Sequence, residues 1–596
     1  MFIEVNDNNG IKYLRLVESK RAFTKSGKPT CKKNIIFTIG RLDSFDDGKP
    51  DFVKRLKDSF KNGNPIIPSL YPYVEKKPVK DIYDISFKEG DPDCIGHNKL
   101  FANALLERIM EEIGITSFIG KYKAQTNYEF DLMGFVRLLI YGRILNPASK
   151  IATVNQNNNY YSDVLKDVYE YNVYDTLSFL YDYKDKLINW VNNRLINKFN
   201  RTTNVIYYDV TNFFFEIEEP DEEEDDLRKM GVSKEHRKQP IVQMGLFMDE
   251  QGVPISIETF PGNTLDHLTL KNALNKSINN LNLDRFILVG DRGMYRGDNS
   301  YYLNNMNNGY IISKSIEKTS KDEKEWIYNQ EGYTVVSKDF KYKSRVIKRK
   351  VKVKDELKDI TEKVVVYFSK KFYDKQMHEN KSFLEFIDKL EKNPENFRIT
   401  KSQSSSLRKF LKKELINDRT GEILNSKDLK PLLDMDKINK YKETFGYYQI
   451  VTSELDMDDQ KVIDTYHGLS RIEDQFRVMK SDLETRPMYV RTKEHINSHI
   501  LICLLSLIII RIIQNKVVTF SNPKVENKWT MGLSGSRIQK ALNKWTVSEI
   551  TNGYYRFNDI DDLDLKLILD SFNINIPIKL FKKMELHNIK TSIKVI

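Results

Sequence analysis

The sequence predicts an α/β protein: a sheet-containing core interrupted by an insertion, with a β-rich region before it and helical regions on either side. Three observations predict this. Short apolar runs rich in β-branched and aromatic residues recur at NVIYYDVTNFFFE (204–216), RFILVGDRGM (285–294) and FGYYQIVTSEL (445–455), as expected of buried strands. Between the second and third runs the alternation breaks, from about residue 317 to 445. Helical periodicity dominates from about 98 to 200 and again beyond 516.

Taken in order, residues 1–90 mix alternating apolar runs (IKYLRLVES, KNIIFTIGRL) with turn residues and form the β-rich N-terminal region. Residues 91–202 are helical, with KLFANALLERIMEEIGI and FDLMGFVRLLIYGRIL as the clearest segments. Cations punctuate their faces at Arg137, Arg143, Lys150, Arg194 and Lys198. This pattern predicts a helical DNA-binding region, although a plain helical bundle has the same pattern. Residues 203–316 form the first part of the core. Its strand through Asp209 is followed by an acidic loop, Glu218 to Asp226, and by a hairpin turning at Glu250-Gln-Gly. Residues 317–445 are the insertion, which holds Trp326 and a basic segment, KYKSRVIKRKVKVK, with eight cations in fourteen positions. As a solvated strand or loop this segment needs no partner, whereas on DNA it would add sequence-independent, salt-sensitive affinity. Trp326 is a core or surface residue, or a platform for an unpaired base. Residues 446–515 return to the core with a strand and then helices, and 516–596 form a helical, polar C-terminal region. Within 446–515, ILICLLSLIII (500–510) is too short for a bilayer and predicts a buried helix.

Lys plus Arg (95) exceeds Asp plus Glu (84), a net charge of +11 that leans toward a polyanionic partner. Cys31, Cys94 and Cys503 have neither zinc-site nor disulfide spacing, and the N-terminus lacks a signal-peptide pattern. A soluble, cytoplasmic protein without a membrane partner is expected.

Candidate chemistry rests on three carboxylates. Asp209 lies within a strand, Asp291 ends one, and Glu473 lies on a helix in SRIEDQFRVMKSDL (470–483) that could cover the sheet. Three carboxylates suit one or two Mg²⁺ ions, with Mn²⁺ as an alternative. Simpler roles exist for each. An aspartate at a strand end is commonly a turn or cap residue. Glu473 also begins an i,i+4 pair with Arg477, worth ~0.3–0.5 kcal/mol, and Ser470-x-x-Glu473 fits a capping box. On one continuous helix Glu473, Arg477 and Lys480 share roughly a 60° arc.

The contexts of these residues resemble the DDE transposases of bacterial insertion sequences, of the insertion-sequence-four-like type with a Tyr-Arg-Glu-Lys signature. Tyr466, Glu473 and Lys480 match that signature in position and spacing, and YYDVTNFFFE and ILVGDRGM resemble its two aspartate strands. Leu469 stands where the family has Arg. Arg471 could substitute only if the helix starts or kinks near Gly468, because on a continuous helix it points roughly 160° from Glu473. The resemblance implies an RNase H-like catalytic core interrupted by an insertion domain. It implies Asp209, Asp291 and Glu473 as catalytic and metal-holding residues, and Tyr466, Arg477 and Lys480 as DNA-binding residues. It also implies cleavage at the ends of a mobile element, strand transfer into target double-stranded DNA, and a homodimer in a synaptic complex. A nuclease of the same core that does not join, and a non-catalytic DNA-binding regulator, are the alternatives.

Overall fold

The computed structural model describes all residues except 9, 24–28, 63–64, 75–97, 162–163, 224–225, 234–237, 279–280, 282, 393–409, 411–433, 523–531, 551–552 and 578. Cys94, Trp529 and part of the acidic loop therefore lie outside the described residues. The chain divides into two compact units, one of Met1–Phe286 with Gly468–Ile596 and one of Ile287–His467.

The first unit opens with β1 (Phe2–Asn8), β2 (Ile11–Phe23) and β3 (Pro29–Arg41), an antiparallel sheet in that order. Leu14 and Leu16 alternate onto its buried face. Phe52, Leu56 and Phe60, spaced one helical turn apart on the helix Phe52–Lys61, join them in one core cluster. After the two-residue β4 (Lys99–Leu100) come six helices, ending with Lys184–Phe199. The helix Leu132–Leu145 is buried on almost every side, and Asp131 caps it by accepting from Gly134 N at 3.0 Å. The five cations singled out on these helices all have partners or are buried, although Lys198 stays exposed. Arg137 pairs with buried Glu107, Lys198 pairs with Glu112, and Arg194 lies over Trp190. Arg143 and Lys150 are buried.

β5 (Val205–Phe214), β6 (Ile241–Asp249) and β7 (Pro254–Pro261) form an antiparallel meander. The β6–β7 turn falls at Glu250–Gly252, with Gly252 at φ 79°. Asp249 accepts from the amides of Gln251 and Val253 and from buried Arg201, which fixes that turn.

The second unit contains β8 (Ile287–Gly290), β9 (Gly309–Ser313), β10 (Thr334–Ser337), β11 (Phe340–Val353), β12 (Glu356–Ser369) and β13 (Tyr447–Thr452). β8 and β9 run parallel and are wholly buried, as parallel strands generally are. The remaining pairs are antiparallel: β9 with β13, β13 with β12, β12 with β11, and β11 with β10. Much of the expected insertion thus continues a sheet. The basic segment is strand β11, whose alternate residues Val346, Lys348, Lys350 and Lys352 are exposed. Its other face turns inward, where Arg349 forms a two-point pair with the fully buried Glu362, which also accepts from Tyr310 and Tyr295. Trp326 is covered by Arg345, at 4.2 Å from its ring, and by Lys343, so it is a packing residue rather than an open platform.

Back in the first unit, the helix Lys493–Ser521 is long and apolar enough to cross a bilayer, but its apolar stretch is entirely buried. It packs against Leu132–Leu145, Tyr171–Asp182 and β7. The C-terminal region, expected to be helical, also contributes β14 (Thr546–Ile550), β15 (Tyr554–Phe557) and β16 (Phe581–Lys582). These form a small antiparallel sheet with β4. Runs of two to five residues are too short to show period-two alternation.

Candidate functional site

Tyr207 and Asp209 are two residues apart on β5, so their side chains leave the same face. Tyr208 points the other way and donates to Thr269 at 2.8 Å. On the Tyr207 face lies Gly468, where any Cβ would sit 2.1 Å from the Tyr207 hydroxyl. That close approach lets the helix Ser470–Arg477 pack on β5, over the face that carries Asp209. Ile472, Gln475 and Phe476 are its buried residues. Gln475 Nε2 donates to Gly252 O at 2.9 Å and Arg471 donates to Glu250 O, so two side chains fasten the helix to the β6–β7 turn. Buried Arg511 donates to Gln475 Oε1 at 2.7 Å from below.

This arrangement decides several sequence-level alternatives. The chain breaks between the helices Asp459–His467 and Ser470–Arg477, so Tyr466 and Glu473 do not share a continuous helix. Ser470 is the first helical residue and Leu469, already in helical conformation, is the N-cap without a side-chain hydrogen bond. The capping box is therefore not formed. Arg477 bonds Asp474 Oδ1 at 2.6 Å and not Glu473. Beyond Arg477 the helix widens into a π turn, Val478–Asp482, which carries Lys480 and ends the 100° step on which the shared arc depended. Glu473 is exposed and has no partner among the described residues. Asp209 is half-buried, between buried residues of its strand.

Asp291 and Tyr466 belong to the second unit. Asp291 follows β8 directly and caps the turn Arg292–Met294, accepting from Arg292 N at 2.6 Å and from Ser313 Oγ at 3.2 Å. Ser313 ends β9, the parallel neighbour, and it shares a hydrogen bond with Tyr466. Tyr466 is buried with its hydroxyl 2.9 Å from that of Tyr448; burial first, then Tyr448, raises its pKa well above the usual tyrosine value. Asp291, Ser313, Tyr466 and Tyr448 thus form one chain of polar contacts. Sequence reading missed Ser313, Tyr448 and Gln475. Ser313 was signalled by its place at the end of the apolar run GYIIS; half-buried Tyr448 and buried Gln475 had no signal of their own.

Oxygen donors that are exposed or half-buried fit a hard divalent cation in chemistry. Among the described residues, no three His, Cys, Asp or Glu side chains are grouped as a metal site.

No curated protein matches the chain. A solved structure described as a cryo-EM structure of a piggyBac transposase synaptic complex with hairpin DNA aligns over 83% of this chain and 84% of that chain, at 10% identity and a TM-score of 0.31. A likeness at that level carries no argument. The family match begins just past Asp209 and includes Asp291, Tyr466, Glu473, Arg477 and Lys480: residues 213–509 match the family described as the transposase DDE domain.

Proposed function

We propose that the chain is a DNA transposase with an RNase H-like core, which binds the ends of an insertion sequence in the cytoplasm as a homodimer and cleaves and joins DNA by phosphoryl transfer. One observation carries the reading. Within the stretch that matches the DDE family, Glu473 is a carboxylate without a partner among the described residues, on a helix seated over the strand face that bears Asp209. A structural glutamate on such a helix would be expected to pair with one of its cations, yet Arg477 is held by Asp474 instead.

In this reading Asp209, Asp291 and Glu473 hold Mg²⁺ or Mn²⁺, which supplies activation of the attacking oxygen and stabilisation of the leaving one. Arg471 and Gln475 fix the helix that presents Glu473, and Ser313 orients the Asp291 carboxylate. Arg477 and Lys480 contact phosphate, which positions the strand without reading its sequence.

Glu473→Gln, Asp209→Asn and Asp291→Asn are each expected to abolish cleavage of an element end in Mg²⁺ while end binding persists. Because Glu473 is exposed and has no hydrogen bond or ion pair among the described residues, Glu473→Gln should shift stability by less than ~0.5 kcal/mol. Full cleavage by any of the three variants overturns the assignment. Supplying pre-cut ends and scoring joined product separates a transposase from a nuclease that only hydrolyses.

A further inference from the structure

A cavity of about 260 Å³ in the first unit is lined by Arg143, Ser149, Lys150, Arg486, Tyr489 and His499, among others. Arg143 is 5% exposed, Lys150 6% and His499 5%. The Arg143 guanidinium donates only to backbone carbonyls: Leu483 at 3.1 Å, Glu484 at 3.3 Å and Ala148 at 3.1 Å. Among the described residues its Nε has no hydrogen-bond partner, nor does the Oγ1 of fully buried Thr485. The other ring nitrogen, Nε2 of His499, lies 3.1 Å from Thr485 O and must donate to it, which leaves Nδ1 to accept from Lys150 Nζ at 3.0 Å. His499 is therefore neutral and compensates no charge.

Two buried cations consequently sit side by side, and among the described residues neither is paired with a carboxylate. Buried charges in proteins are paired or bound to counter-ions, because desolvation costs several kcal/mol per ion. A third cation, Arg486, lines the same cavity, and its single carboxylate, Glu484, is exposed at the rim. The cavity holds more than a water molecule. With Lys150 protonated, two buried positive charges call for an anion of charge near −2, and donors approaching from several elements suit a tetrahedral anion better than a planar carboxylate.

We propose that this cavity binds a phosphate group, either free or part of a nucleic-acid strand. Arg143 and Lys150 form its floor, Arg486 its mouth, and Tyr489, 69% exposed, stands at the entrance. The proposal does not depend on the DNA-joining reading, since none of these residues holds a catalytic role there.

Burial first, then Arg143, pulls the Lys150 pKa down to about 7, with Cys503 opposing weakly. The charged or titratable groups around it are Arg143, His499, Cys503, Glu484 and Arg486. Anion binding favours the ammonium form, so above about pH 7 binding takes up a proton and weakens as pH rises.

The test is calorimetric titration of the full chain with inorganic phosphate and, for the pH series, with sulfate, whose charge is constant over that range. Wild type is expected to bind both, with sulfate affinity falling as pH rises through the range above neutrality. Lys150→Met should weaken phosphate binding at least about tenfold, and Lys150→Arg should bind with a flat pH profile. If phosphate competes with single- or double-stranded oligonucleotides and Lys150→Met weakens their binding, the group belongs to a strand. If oligonucleotide binding is indifferent to both, the group is a free phosphate. No binding by wild type, equal binding by wild type and Lys150→Met, or a pH-independent sulfate affinity in wild type overturns the proposal. The last readout needs no variant and so stands even if a substitution impairs folding.

Discussion

The helices between Asn103 and Phe199 and the hairpin β11–β12 are both studded with cations, and they use them in opposite ways. In the helices, Arg137 and Lys198 pair with Glu107 and Glu112, Arg194 lies on Trp190, and Arg143 and Lys150 are buried. In the hairpin, strand geometry sorts the basic run by parity. Lys343 and Arg349 turn inward to carbonyls and to Glu362, whereas Lys348 and Lys350 face outward and have no partner among the described residues. A surface charge available to a polyanion therefore follows from backbone period and neighbours, and a count of cations does not reveal it.

Three measurements break or sharpen that contrast. The largest effect is expected from Arg143→Met, which leaves three carbonyls without their donor; a loss of about 3–5 kcal/mol in denaturant unfolding would mark the helical cations as structural. A loss below about 1 kcal/mol would show that these carbonyls do not depend on Arg143. Next comes Lys150. Its folded pKa of about 7 lies below the model-peptide value of about 10.4, so between those values the unfolded chain binds one proton more than the folded chain. Stability should then rise with pH, by about 1–3 kcal/mol between about pH 7 and about pH 9 without phosphate. Lys150→Met should remove that slope. The smallest effect on the fold is expected from Lys348→Gln with Lys350→Gln: within ~0.5 kcal/mol in stability, with the log–log salt slope of DNA binding reduced by about two. An unchanged slope would show that the outward face of the hairpin does not meet phosphate.

Much of the fold was legible because apolar runs were long and flanked by turn residues. β5, the turn at Glu250–Gly252, β8 just before Asp291 and the buried helix through Ile500–Ile510 are all of this kind. The strand nature of KRKVKVK was present as period-two alternation but was masked by its charge. Around Glu473 the local rules misled. Ser470 has the composition of an N-cap, but the chain is already helical at Leu469, and the i,i+4 rule pointed Arg477 at Glu473 when Asp474 is better placed. The π turn that shifts Lys480 depends on packing that no spacing rule contains. Arg143 and Lys150 looked like surface cations because nothing local announces that Leu483 and Glu484 will meet Arg143, or that His499 of the Lys493–Ser521 helix will meet Lys150.

That helix also orders events during synthesis. Its partners, Leu132–Leu145 and Tyr171–Asp182, leave the ribosome long before Lys493–Ser521 does. Until then the faces they turn toward that helix are uncovered, so the first unit completes its interior only after the entire second unit has been translated. A chain stopped short of Lys493 would present those faces to solvent and to chaperones, as incompletely folded domains do. Early termination within this reading frame is thus expected to yield aggregates or proteolytic fragments rather than a trimmed, competent protein.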